Sequence, residues 1–184
     1  MSREFHPCDL ICTGYAGENG TAVLCSENEE KLKKRFSAAF LKPVRNLKKT
    51  EFPDSLKNTL QNEGVLLIPC TDTGIYGALW TLFTETGTGF SVRQRDIPVR
   101  QETIEICNET DEDPYLLDSE GTYLLACPEE KRSGVERLLS DEGIKAFHIG
   151  QTISGKQKMI FREDGEFRYL ERPKKHKGSK ENGQ

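Results

Sequence analysis

Val65-Leu66-Leu67-Ile68 is an unbroken apolar run only as long as a short strand, and no other segment constrains the chain as tightly. A buried helix needs a longer stretch. A strand that is apolar at consecutive positions must have both of its faces covered. The run leads into the turn Thr71-Asp72-Thr73-Gly74, after which Ile75, Leu79, Leu82 and Phe83 recur on one side of a helix that Gly87 and Gly89 end. A sheet with helices packed on it is the architecture these residues demand.

The rest of the chain supplies more of both elements. Cys8 to Thr13 reads as a strand; Gly14, Gly17 and Gly20 mark a tight turn, and Thr21 to Cys25 reads as a returning strand. Ser26 and Glu29 have the spacing of a capping box. They predict a helix whose buried stripe is Leu32, Phe36, Ala39 and Phe40 and which Pro43 stops. Pro53 to Asn62 predicts a second helix with Leu56 and Leu60 one turn apart, and Val99 to Asn108 a further one. Phe90 to Val92, Tyr123 to Cys127 and Ala146 to Gly150 read as strands. Between the last two lies a helix that Pro128 opens and Gly143 caps. Lys158 to Phe161 and Phe167 to Leu170 form a hairpin through Asp164-Gly165. Elements mixed in this way predict an α+β, layered α/β/α domain over residues 1–172, with a mixed sheet and a basic tail at 173–184.

Charge is divided unevenly. Residues 171–184 hold five Lys or Arg and two Glu, whereas residues 1–170 hold 21 basic and 28 acidic groups. An acidic body repels nucleic-acid phosphates, so no nucleic acid is expected as a partner; the tail (Lys174, Lys175, His176, Lys177, Lys180) has the charge to touch RNA or a phosphate, but reads first as a solvated terminus. The eight carboxylates between Glu102 and Glu120, unaccompanied by Lys or Arg, read as a solvated loop. No apolar stretch is long enough to span a bilayer and Met1 to Pro7 has no signal-peptide pattern, which makes a cytoplasmic protein the expectation. The six cysteines read as reduced thiols, most of them core residues. On a strand, His6, Cys8 and Cys12 share one face; a thiol or metal carrier built on them is one candidate function, weakened by the lack of any C-x-x-C or H-x-x-x-H pair. Tyr76 and Trp80 read as packing residues, and His148 as a core histidine with its hydrogen bonds satisfied.

Several segments, taken in order, resemble one family. They are Thr13-Gly14-Tyr15-Ala16-Gly17 with Gly20-Thr21-Ala22, Gly74-Ile75-Tyr76-Gly77-Ala78-Leu79-Trp80, and Ile97 to Cys107. Asp113-Pro114-Tyr115-Leu116-Leu117, Ser119 to Leu125 and Ile149-Gly150 complete the series. It is similar to the C-terminal domain of the aminoimidazole ribonucleotide (AIR) synthetase superfamily, nearest to the synthetase-related and hydrogenase expression or maturation factors. The resemblance implies a domain that helps close a site over substrate, while an N-terminal half holds ATP and magnesium. Only eight residues precede Asp9, so it also implies that the ATP-binding half is missing from this polypeptide.

The family's chemically loaded turn resembles His-Asp-Pro/Val-Thr-x-Gly-Gly at a helix start. In one register Thr71 takes the threonine, Asp72 the variable position, Thr73 replaces the first glycine and Gly74 takes the second. In a competing register Asp72 takes the family aspartate. A helix start with glycines can hold a phosphate, which makes Thr71, Asp72, Thr73, Gly74 and Gly77 the candidate ligand-binding residues; Thr and Asp at that position equally serve as helix caps. No residue is assigned catalysis and no cofactor or metal is expected. The expected function is that of a domain without catalysis of its own, acting through self-association or through a separately encoded ATP-binding partner. The alternative is a subunit that completes an ATP-dependent enzyme in trans, with phosphate at the Thr71–Gly77 turn.

Overall fold

The computed structural model describes residues 5–47 and 51–174. Its strands are β1 (Cys8–Thr13), β2 (Leu66–Pro69), β3 (Gly89–Arg93), β4 (Tyr123–Pro128), β5 (Ala146–Ile153), β6 (Lys158–Phe161) and β7 (Phe167–Tyr169). Its helices are α1 (Glu18–Glu27), α2 (Glu29–Arg35), α3 (Ala38–Arg45), α4 (Asp54–Asn62), α5 (Gly74–Thr86), α6 (Gln101–Thr110) and α7 (Arg132–Asp141). The strands make one sheet in the order β2-β4-β1-β5-β3-β6-β7. Every pairing is antiparallel except the parallel one between β3 and β6, so the sheet is mixed, as expected. The basic tail beyond Lys174 lies outside the described residues.

Alternation along the strands sorts the side chains into two layers. On one face Leu10, Cys12, Ile68, Phe90, Val92, Leu124, Ile149 and Ile160 meet Ile75, Tyr76, Leu79 and Leu82 of α5. On the other, Ile11, Leu125 and Cys127 meet Leu56 and Leu60 of α4 and Val135 and Leu139 of α7. Each fully buried Leu or Ile of this kind contributes about 1.5–3 kcal/mol relative to exposure. A third cluster, with Cys25, Leu32, Leu41, Val44 and Ile106, binds α1, α2, α3 and α6 to one another. β2, although at the sheet edge, is packed by α4 and α5 on opposite faces, as its continuous apolar run requires.

The N-terminal third differs from the sequence expectation. Thr21 to Cys25 is helical: it lies within α1, whose N–H of Thr21 donates to the Gly17 carbonyl at 2.9 Å. Thr, Val and Cys favour strands when a sheet edge is at hand, but here Cys25 is drawn into the cluster with α3 and α6. Ser26 forms no capping box. Its hydroxyl donates to the Ala22 carbonyl at 3.1 Å inside α1, and the chain breaks at Asn28, between α1 and α2. Phe36 is extended and separates α2 from α3, which Ser37 caps by accepting from the Phe40 N–H. Pro43 does not stop this helix but sits inside it; its ring removes one N–H donor, which an eight-residue helix held by Leu41 and Val44 tolerates.

The candidate site: two helix starts closed by one loop

Thr71, Asp72, Thr73 and Gly74 connect β2 to α5, and Gly77 lies one turn along. The turn is tightly built. The Gly74 N–H donates to the Thr71 carbonyl at 2.9 Å, and the Gly77 N–H donates to the Thr73 carbonyl at 3.0 Å. The Thr73 hydroxyl is packed against the hydrogen side of Gly77, which leaves no space for a Cβ there. Thr71 and Asp72 side chains touch at 3.4 Å. Gly74 has φ +61, a conformation that L side chains rarely adopt.

What lies against this turn is a segment far away in sequence. The Tyr76 N–H donates to the Tyr115 carbonyl at 3.2 Å, and the Ser119 N–H donates to the Thr71 carbonyl at 3.3 Å. A Cβ on Gly74 would meet the Tyr115 carbonyl oxygen and, at 2.7 Å, that of Leu117. The same segment closes the start of α1. There the Gly17 N–H donates to the Ser119 hydroxyl at 2.7 Å and the Gly20 N–H to the Asp118 carbonyl at 2.9 Å. Asn19 donates its amide N–H to the Asp118 carboxylate. Residues 113–122 therefore lie between two helix starts whose N–H groups carry partial positive charge. Backbone carbonyls and a serine hydroxyl meet those groups, and the Asp118 carboxylate meets the Asn19 side chain.

Sequence reasoning had grouped Asp113, Asp118 and Glu120 into a solvated acidic run. The structure gives two of them local work: Asp113 accepts from the Tyr115 N–H at 2.9 Å and Asp118 from the Glu120 N–H at 3.0 Å. Asp118, Ser119 and Tyr115 are thus site residues that the candidate set lacked. Asp-x-Glu and Asp-Pro turn chemistry was the available signal, but nothing local says which helix such a turn will cover.

The other singled-out residues fall elsewhere. Cys8 and Cys12 do share a face of β1, but Cys12 is fully buried and burial pushes its thiol up to about 12; that of the nearby Cys70 is raised well above the ordinary range for the same reason. His6 precedes the strand and is exposed. Among the described residues no group of three or more His, Cys, Asp and Glu is placed to hold a metal ion. Tyr76 is buried, stacked on Tyr115 at 5.1 Å, while Trp80 is half-buried beneath the Lys158 ammonium, 5.2 Å from its ring centre. His148 is hydrogen-bonded as expected but half-buried rather than a core residue: its Nε2 lies 3.0 Å from the buried carboxylate of Asp9, which also accepts from Arg132 at 3.3 Å.

Among the described residues no helix lies over one half of one sheet face. No residue of β3, β6 or β7 joins the cluster formed by α4 and α7. On that side Arg93 and Gln151 are exposed, and Met159 and Phe161 are half-buried. Phe167 and Tyr169 on β7 are 49% and 58% exposed. The rings form a strip, with Phe161–Phe167 and Phe167–Tyr169 centroids each 5.5 Å apart. Among the described residues no helix is long and apolar enough to cross a membrane.

Comparison with known proteins agrees with this layout. The family model described as AIR synthase related protein, C-terminal domain, matches residues 69–162. The hydrogenase maturation protein HypE of E. coli superposes with a TM-score of 0.75 at 19% identity, over 94% of this chain and 51% of that one. A HypE–HypF complex gives 0.73 at 18% identity, over 93% and 54%. Thiamine-monophosphate kinase from Stenotrophomonas maltophilia K279a gives 0.62 at 16% identity, over 86% and 50%. This chain spans about half the length of these structures. No curated protein matches it in sequence. The Thr71–Gly74 turn with α5, the 113–122 segment that closes it and strands β3 to β6 all lie within the matched span, and the chain belongs to the AIR synthase related family through the C-terminal domain.

Proposed function

We propose that this domain acts by association, through the bare half of its sheet, and carries no catalysis of its own. The observation that supports this reading is the strip of Phe161, Phe167 and Tyr169 on the side of β3, β6 and β7 that no helix among the described residues covers. Large rings exposed together on a sheet face are characteristic of an interface. β7 is also the terminal strand of the sheet, with one edge unpaired among the described residues. A second copy fits both features: two β7 edges can pair antiparallel about a twofold axis, which sets the two aromatic strips side by side. Sedimentation equilibrium tests this. The reading expects a species of twice 20.8 kDa, converted to monomer by the double substitution Phe167→Ser, Tyr169→Ser. A wild-type chain that stays monomeric at every concentration sinks it.

A second reading places a phosphate group at Thr71, Asp72, Thr73, Gly74 and Gly77, with ATP handled by a separate half. It draws on the likeness to thiamine-monophosphate kinase, whose name records a phosphate ester substrate, and on a HypE structure solved with a protein partner. The Tyr115 and Leu117 carbonyls already face Gly74, so an anion there requires the 113–122 segment to withdraw. Titration with inorganic phosphate, followed by the amide signals of Gly74 and Ser119, separates the two readings: shifts at both residues support the phosphate site, and none at millimolar phosphate removes it.

A further inference from the structure

The chain carries a net charge of −4, yet residues 29–47 hold six Lys or Arg against two Glu. The remainder therefore has a balance of −8, and the basic residues of that short span are gathered on α2 and α3. Between these helices lies a cleft of about 670 Å³ lined by Lys33, Phe36, Ala38, Leu41, Lys42 and Arg45, together with Ser37 and Asn46. Its floor is apolar and its walls are cationic. Two of the three cations are also held in place: Glu29, outside the cleft lining, accepts from Lys33 at 2.7 Å and from Arg45 at 3.2 Å. Each cation retains further N–H donors for a second acceptor.

We propose that this cleft docks a short acidic segment of a partner protein, one that sets an apolar side chain on Phe36 and Leu41 and carboxylates against Lys33, Lys42 and Arg45. Three observations select that occupant. One helical pair concentrates six Lys and Arg while the rest of the chain sums to −8, which suits a few carboxylates and repels a long polyanion. Phe36 and Phe40 stack on each other, centroids 4.7 Å apart and planes 16° off parallel. Each ring thus spends a face on its neighbour, whereas single-stranded nucleic acids are held on open aromatic faces. The third is the apolar floor, with Leu41 buried and Phe36 half-buried, which offers a small inorganic anion nothing but offers an amphipathic peptide an anchor point. The cleft belongs to the α1, α2, α3 and α6 cluster, so this proposal is independent of the bare sheet face.

Fluorescence anisotropy on the full chain tests it, with a labelled peptide rich in Glu and Asp that carries leucines at helical spacing. The comparison probes are a peptide of the same apolar pattern with Lys in place of the acids, and a single-stranded oligonucleotide of equal net charge. Saturable binding of the acidic peptide alone is expected, weakening with salt. The Lys42→Glu, Arg45→Glu double variant should lose at least about tenfold in affinity, as reversal of two charge-assisted contacts requires. Both positions are exposed, and an unchanged circular dichroism spectrum confirms that the variant is folded. Absence of binding, equal or tighter binding of the oligonucleotide, or indifference to the charge reversal overturns the proposal. Loss of self-association in the same variant also overturns it, since the cleft would then belong to a contact between copies.

Discussion

Replacing Gly74 by alanine reads out whether the 113–122 segment really closes the start of α5. Two penalties arise at that position. The first is conformational: with φ +61, a Cβ costs about 1–2 kcal/mol wherever the left-handed region is imposed. The second is steric and specific to this site. The new carbon would lie 2.7 Å from the Leu117 carbonyl oxygen and closer still to that of Tyr115, and both are backbone atoms that cannot rotate away. Displacing Tyr115 also breaks the hydrogen bond it accepts from the Tyr76 N–H, a buried donor whose loss costs about 1–3 kcal/mol. The sum is about 2–5 kcal/mol. Gly87 supplies the control: its φ is +68 and nothing lies within 4 Å of a Cβ there, so Gly87→Ala carries only the first penalty. Urea unfolding of the two variants, followed by circular dichroism with the slope m held common, should show Gly74→Ala the less stable by at least about 1 kcal/mol. Equal losses would refute the closed arrangement, because they would mean that no carbonyl stands against Gly74.

Asp9→Ala should destabilise the domain by about 1–3 kcal/mol, since it leaves Arg132 and His148 without their shared buried acceptor; an unchanged urea midpoint contradicts that role. Tyr76→Phe should be neutral or stabilising by up to about 1 kcal/mol, because the Tyr76 hydroxyl is buried and has no hydrogen bond of good geometry among the described residues; a destabilisation beyond about 1 kcal/mol in the same assay shows that the hydroxyl is used, with the nearby Arg168 as its partner. Stability should fall as the solution becomes alkaline. Burial raises the thiols of Cys12 and Cys107 from 9.0 to about 12 and that of Cys127 to about 11. The unfolded chain therefore loses these protons first: the stabilisation is complete below pH 9 and disappears as pH climbs towards 12. Urea midpoints at pH 7 and pH 10.5 check the sign, and Cys12→Ala should flatten the dependence.

What the residues disclosed, and what they withheld, follows from the range of the interactions. The β2–α5 unit was legible because its evidence is contiguous: an apolar run, a turn, then a periodic stripe from Ile75 to Phe83. The β6–β7 hairpin was legible through Asp164-Gly165 for the same reason. Thr21 to Cys25 was misread because strand-prone residue types were weighed without their surroundings, and Cys25 is buried by α3 and α6 rather than by a neighbouring strand. Pro43 misled in the same way, since the packing of Leu41 and Val44 outweighs one missing donor. The candidate turn was found, but not its closure by Tyr115, Leu117 and Ser119, some 40 residues further along the chain; backbone carbonyls carry no residue identity by which such a contact could be foreseen. The bare aromatic strip also needed the fold. Phe167 and Tyr169 flank Arg168 in simple alternation, and only the strand order shows that their side of β7 faces no helix among the described residues.

Hydrogen exchange at β7, measured as the protein is concentrated, asks most directly whether the uncovered side of the sheet is where the molecule makes contact. Protection of Phe167, Arg168 and Tyr169 amides is predicted to rise with concentration, while the opposite edge at β2 keeps a constant rate. Exchange at β7 that does not change across that range, or protection that grows equally at both edges, contradicts the assignment.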